Sequence, residues 1–252
     1  NNLDEVAPTI TSSDIADAVN ENIAAGQLIY TAMATDSADV TGGFTFSLSG
    51  ADAAAFTIDV NSGDVTLTAN PNFESQSQYN FIVVANDGVN TPVEKAVTLD
   101  INNLDEIAPT ITSGDTAAAI DENSGAGQVV YTASADDSAD VSDGVTFSLA
   151  GDDAAAFTID ASTGAVTLTA NPDADTQAQY SFSVVATDAA NNVSDAQSVT
   201  LDINNLDDTA ATITSGDAAA SIDENSGAGQ VVYTATADDS ADVSDGVTFS
   251  LA

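Results

Sequence analysis

The residues of this chain that could do chemistry are carboxylates, hydroxyls and amides. Its 252 residues include 40 Asp and Glu but one basic residue, no His and no Cys, which gives a formal charge of −39. The lack of imidazoles and thiolates excludes the usual zinc and iron–sulfur sites. A single cation, Lys95, excludes a basic surface for nucleic acid or for an anionic membrane. The remaining donors are hard oxygens, which suit Ca²⁺ or Mg²⁺.

The chain repeats itself, and many of its acidic residues gather at the repeat junctions. Residues 120–150 return at 222–252 with one change, Ser134 to Thr236. A Glu-Asn pair marks each copy, at Glu21, Glu122 and Glu224. Units of about 100 residues are domains rather than solenoid turns. We therefore predict repeat one at 1–104, repeat two at 105–206 and a partial repeat three at 207–252.

Short stretches of alternating apolar and polar residues predict strands within each repeat. With 43% apolar residues the chain is too hydrophobic for a disordered acidic tail. Seven short strands without a long helical pattern favour an all-β, immunoglobulin-like sandwich, with Tyr30, Phe46, Phe56 and Tyr79 in its core. No apolar run is long enough to span a membrane. The predicted strands of repeat one are 9–11, 27–34, 44–48, 55–60, 64–69, 79–85 and 93–101.

The order of motifs resembles a cadherin repeat. In repeat two the motifs are Glu122-Asn123, followed by segments 157–160, 164–168, 180–188 and 205–208. The resemblance is closest to the cadherin-like arrays of large bacterial surface adhesins. It implies tandem seven-stranded Greek-key sandwiches in a linear array, at the cell surface of a bacterium, with Ca²⁺ bound where one repeat joins the next.

The resemblance also implies which oxygen donors hold the Ca²⁺ ions: a domain base, the linker and the top of the next domain. The top departs from the family, because Ser138 and Ser142 stand where ligands are expected, so Asp143 and Asp245 are further candidates and the number of ions stays open. The implied ligands of the first junction are Glu21, Asn72, Glu74, Asn103, Asp105, Glu106, Asp136, Asp137 and Asp140. Those of the second junction are Glu122, Asp173, Asp175, Asn205, Asp207, Asp208, Asp238, Asp239 and Asp242.

Electrostatics points to Ca²⁺ without the family. Two like charges 4 Å apart repel by about 4 kcal/mol at an effective dielectric near 20, so converging acids need a multivalent cation. Ca²⁺ accepts six to eight oxygens in loose geometry, whereas Mg²⁺ requires an octahedron. Two simpler interpretations remain: a uniformly acidic solvated coat, and acids that only hold turns, which we expect for Asp59, Asp87, Asp160 and Asp188.

The sequence is compatible with three classes of function. The first is a Ca²⁺-stiffened extracellular extender that projects other domains, with a subunit of a filament or surface layer, held by homotypic contacts, as its variant. The second is a module that binds a glycan or a partner. An enzyme, the third, is disfavoured because the chain has no Trp and few aromatic residues outside the core to form substrate subsites. Repeat three lacks the strands that would cover Tyr233, Phe249 and Leu251, so we expect the sequence to be a window of a longer array.

Overall fold

Alternating sequence patterns produce short strands throughout the computed structural model, which describes residues 5–36, 43–142, 144–243 and 246–251. The chain divides into two units, Asn1–Asp105 and Glu106–Ala252. The three-repeat division stays a prediction from the sequence. No helix in the described ranges is long and apolar enough to cross a membrane.

The first unit is a sandwich of two sheets, in which every strand pair is antiparallel except β2 with β9. One sheet has the strand order β2-β9-β8-β5 and the other β3-β7-β6, while β1 pairs with β4. The fold class predicted from the sequence is confirmed. The strands are β1 (Thr9–Ile10), β2 (Val19–Asn20), β3 (Leu28–Thr31), β4 (Ala34–Thr35), β5 (Thr45–Ser49), β6 (Phe56–Ile58), β7 (Asp64–Leu67), β8 (Gln78–Asn86) and β9 (Val93–Asn102).

The second unit repeats this arrangement and continues into repeat three. Its sheets have the orders β11-β18-β17-β14 and β12-β16-β15, while β10 pairs with β13 and β19 with β20. Its strands are β10 (Thr110–Ile111), β11 (Ile120–Asp121), β12 (Val129–Thr132), β13 (Ala135–Asp136), β14 (Val145–Ala150), β15 (Phe157–Ile159), β16 (Ala165–Leu168), β17 (Gln179–Asp188), β18 (Gln197–Asn204), β19 (Thr212–Ile213) and β20 (Ala237–Asp238).

Aromatic side chains fill the space between the two sheets. In the first unit Phe81 is 1% exposed, and its ring centroid lies 4.6 Å from that of Phe56 and 6.0 Å from that of Tyr30. The Tyr30 hydroxyl donates to Ser12 Oγ at 2.7 Å, so its polar end is satisfied inside the sandwich. Tyr79 packs against the same core and is partly buried. The predicted core residues are therefore where the alternation placed them.

The acidic turn before β16 shows what an isolated Asp does in this fold. Asp160 Oδ1 accepts hydrogen bonds from the backbone N–H of Ser162 and Thr163 at 2.9 Å each, and from Ser162 Oγ at 2.8 Å. These donors lower the pKa of Asp160 to about 2, and the Ser162 hydroxyl has the largest effect. The turn role expected for Asp160 is thus observed.

This turn predicts a specific pH dependence. Because the pKa of Asp160 is lower in the folded chain than the usual 3.8, its stabilising contribution is present above pH 3.8 and is lost as the pH falls toward 2. We expect the carboxyl ¹³C shift of Asp160 to titrate near pH 2. In a Ser162→Ala variant the midpoint should rise toward 3.8. An unchanged midpoint would show that the serine hydroxyl is not the main cause.

The described residues from 207 onward leave large apolar side chains exposed. From residue 207 onward the described residues contain two strands, β19 and β20. The exposed fractions of Tyr233, Phe249 and Leu251 are 42%, 53% and 103%. The equivalent of Tyr233 in repeat two is Tyr131, which is 9% exposed and packs against Phe182 of β17. The exposure expected from the sequence is therefore observed.

Candidate metal centre

A buried glutamate lies at the base of repeat two. Glu122 follows β11, which pairs in parallel with the last strand of the repeat, β18. Its side chain is 3% exposed. Oε2 accepts from Ala174 N–H at 2.8 Å and Oε1 from Leu206 N–H at 2.6 Å. One carboxylate thus holds both a base loop and the linker that leaves the repeat.

Three carboxylates from different segments meet beside this glutamate, at the second junction. Asp175 lies in the base loop, Asp208 in the linker and Asp242 in repeat three, and one oxygen of each lies within 4.8 Å of the other two. Asp208 N–H donates to Asp242 Oδ2 at 3.0 Å, which ties the linker to repeat three. Oδ1 of Asp242 is buried and accepts no hydrogen bond from the described residues. We call Asp175, Asp208 and Asp242 the carboxylate triad.

The electrostatics of the carboxylate triad shows unrelieved repulsion. The nearby Asp242 carboxylate raises the pKa of Asp175, with smaller contributions from burial and from Glu122. The pKa of Asp242 is lowered instead, chiefly by the hydrogen bond from the Asp208 amide. The repulsion between these carboxylates therefore acts chiefly on Asp175. A bound cation would reduce this repulsion between the carboxylates.

The other residues predicted for the second junction fall into two groups. Asp207 and Asp239 line one open cavity together with Asp208, and Asn205 Nδ2 lies 3.5 Å from Asp175 Oδ1. Two others are held by local hydrogen bonds outside the carboxylate triad. Asp173 accepts from the N–H and hydroxyl of Thr176, and Asp238 from the N–H and hydroxyl of Ser240.

Comparison with known proteins identifies the family of the two matched domains. A sequence model of the cadherin domain matches residues 17–102 and 116–204. The chain belongs to the cadherin family. Cadherin domains are adhesion modules that bind calcium, occur in extracellular proteins and are not enzymes.

The similar proteins are large animal cadherins. Protocadherin Fat 4 of Homo sapiens is 30% identical over 198 residues, which cover 76% of this chain and 4% of that protein. Cadherin-23 of Rattus norvegicus is 33% identical over 104 residues, 41% of this chain and 3% of its own length. The solved structure of mouse cadherin-23 EC22-24 has a TM-score of 0.63 at 22% identity, covering 94% of this chain and 78% of that one. The chain thus spans a small part of these cadherin sequences.

The first cadherin unit shows the same base glutamate. Glu21 is 1% exposed, and it accepts from Phe73 N–H and Leu104 N–H at 2.8 Å each. Glu74 is exposed, whereas Asn103 and Asp105 are half-buried. Asn72 Oδ1 accepts from Ser75 N–H at 2.7 Å. These residues supply oxygen donors at the end of the unit, as the sequence predicts, and their role as ligands stays a prediction.

The start of the second unit contains the remaining predicted residues of the first junction. Asp140 Oδ2 accepts from Glu106 N–H at 3.3 Å, which matches the bond between Asp208 and Asp242 in repeat three. Asp136 Oδ1 accepts from Ser138 N–H at 3.1 Å. Asp143 and Asp245, named as further candidates, lie outside the described residues.

One candidate ligand was missed by the sequence interpretation, which assigned Asp188 to a turn alone. Its Oδ1 does hold the hairpin, accepting from Asn192 N–H at 2.7 Å. The side chain is nevertheless 5% exposed, and Oδ2 is buried without a hydrogen-bond partner among the described residues. An oxygen of Asp188 lies within 4.8 Å of one on Asp137. The signal that could have shown this is the alternation along β17. Every second residue of the strand is buried, and Asp188 continues that series.

Proposed function

We propose that this cadherin segment is a Ca²⁺-stiffened extracellular extender, which contributes to cell adhesion by projecting other domains. The observation that carries the proposal is the carboxylate triad, because its members come from the base of repeat two, the linker and repeat three. A cation shared by the three would join two consecutive domains. A bacterial cell surface remains part of the proposal on the resemblance alone, since the relatives described above are animal proteins.

The donors at the second junction fit Ca²⁺. They are carboxylate and amide oxygens, with no nitrogen or sulfur ligand nearby because the chain has no His or Cys. The carboxylate triad would hold the ion, and Glu122, Asn205, Asp207 and Asp239 supply further oxygens close by. Bound Ca²⁺ supplies charge neutralisation and a cross-link between segments. The Asp242 carboxylate beside Asp175 raises the pKa of Asp175, and a cation between the two carboxylates would offset that repulsion.

A calcium titration of the whole chain tests the proposal. Extracellular Ca²⁺ modules bind with dissociation constants of roughly 10⁻⁴ to 10⁻³ M, so we expect the amide ¹H–¹⁵N shift of Asp208 to respond in this range. Asp242→Asn should raise the calcium concentration at half-response about tenfold, because it removes one of three ligand charges. The variant keeps an oxygen that accepts from the Asp208 amide. We also expect small-angle scattering to give a larger maximum dimension in millimolar Ca²⁺ than in EDTA.

The matched control is Asp160→Asn, which removes the same charge from a turn whose donors are local. It should leave the calcium response of Asp208 unchanged. If both variants weaken binding equally, the acids act only as a diffuse negative coat. A maximum dimension that is the same with and without Ca²⁺ would contradict the extender role even where binding occurs.

A further inference from the structure

A chain of side-chain amides leads from the base of repeat two to the linker carboxylate. Gly125 N–H donates to Asn171 Oδ1 at 2.8 Å, and Asn171 Nδ2 donates to Asn123 Oδ1 at 3.3 Å. Asn123 Nδ2 then donates to Asp208 Oδ2 at 2.7 Å. Each bond fixes the orientation of the next amide, because an amide whose oxygen accepts on one side presents its NH₂ group on the other side. The chain of bonds therefore fixes Asn123 as a donor toward Asp208.

The backbone at Asn123 explains why asparagine suits this position. Its φ is +58°, in the left-handed region that Gly and Asn tolerate best. Its own N–H donates to Pro172 O at 3.0 Å, which closes the base of the repeat. Glycine would satisfy the backbone equally well but has no side-chain donor. The Asn side chain therefore adds a donor, to Asp208 Oδ2, that the backbone conformation does not need.

We propose that Asn123 is a positioning residue, whose amide orients the Asp208 carboxylate toward Asp175 and Asp242. This inference rests on the proposed function. A neutral donor can hold a carboxylate against two neighbouring negative charges and leave its other lone pairs for a cation. Groups that orient metal ligands in this way typically change metal affinity by 10- to 100-fold when they are removed.

Replacing Asn123 with Gly in the whole chain tests the inference. Glycine keeps the left-handed backbone, so the unfolding temperature in EDTA should stay unchanged. The calcium midpoint read from the Asp208 amide shift should rise about tenfold. Asn225→Gly is the matched control, because Asn225 has φ +61° in the Glu-Asn pair of repeat three. It should leave that midpoint unchanged.

A second variant separates positioning from general electrostatics. Asn171→Asp keeps the acceptor for Gly125 N–H but replaces the donor to Asn123 with a second carboxylate oxygen, which draws the Asn123 NH₂ group away from Asp208. Positioning predicts weaker calcium binding, whereas the added negative charge alone would strengthen it. An unchanged midpoint in Asn123→Gly, or tighter binding in Asn171→Asp, would overturn the inference. A wild-type chain with no calcium response at Asp208 would instead overturn the proposed function.

Discussion

Replacing Glu122 with Ala is expected to destabilise the second unit in EDTA by about 3 kcal/mol. The side chain is 3% exposed and accepts from Ala174 and Leu206. Hydrogen bonds to a charged acceptor contribute about 1.5–3 kcal/mol each. Their loss is partly offset, because Glu122 also adds to the repulsion on Asp175. Native-state hydrogen exchange should show the amides of Ala174 and Leu206 exchanging about a hundredfold faster, the equivalent of about 2.7 kcal/mol of lost protection.

Two internal controls make this result specific. The amides of Phe73 and Leu104, which donate to Glu21 in the first unit, should keep their protection. Glu224→Ala changes the same motif in repeat three, where the side chain is exposed, and should be close to neutral. Equal loss of protection in both variants would show that Glu122 has no special place in the base of repeat two. Calcium binding at Asp208 should also weaken in Glu122→Ala, whereas Glu224→Ala should preserve it.

Gly164→Ala is expected to lower the free energy of unfolding by about 4 kcal/mol. An added Cβ would lie 2.4 Å from Ala133 O and 3.1 Å from Ala133 Cβ. Its φ of +71° adds about 1–2 kcal/mol for any L side chain, and overpacking typically adds 1–3 kcal/mol more. Backbone atoms cannot move aside without breaking the bond from Ala133 N–H to Gly164 O. Urea unfolding followed by circular dichroism measures the loss.

Gly127→Ala is the control for this experiment. Gly127 also has a positive φ, +85°, but a Cβ there would meet nothing within 4 Å. It should therefore cost about 1–2 kcal/mol, the conformational part alone. Similar losses in the two variants would mean that the contact with Ala133 is relieved at little cost.

Most of the strands could be predicted because they alternate. The predicted segment 79–85 became β8, Gln78–Asn86, in which Phe81, Val83 and Ala85 point inward. The segment 27–34 was less simple. It divides into β3 and β4, which pair in different sheets, and a bulge between Leu28 and Tyr30 buries Ile29 and Tyr30 side by side. A bulge is a property of two paired strands, so one strand's sequence does not show it.

The residue types of the candidate site could be predicted from the sequence and its meeting segments from the cadherin resemblance, but its individual contacts could not. An excess of acids near 205–208 indicates a cation site, and the cadherin resemblance indicates its partners. The hydrogen bond from Leu206 N–H to Glu122 joins residues 84 positions apart. The parallel pairing of β11 with β18 brings these two residues together. The turn role predicted for Asp188 is observed, whereas its burial was not predicted because it depends on the facing strands.

The parallel pairing of the strands near each repeat's start and end has a mechanical consequence. Val19 pairs with Ile101 and Ile120 with Ile203, so the chain enters and leaves a repeat in the same direction, at opposite ends. A pull on those two ends slides the paired strands past each other. Their hydrogen bonds are then loaded together in shear and must break together, whereas a hairpin pulled from its open end unzips one bond at a time. Repeats one and two, in which this parallel pairing is described, therefore resist tension along the chain more strongly than pairings of two residues each would indicate.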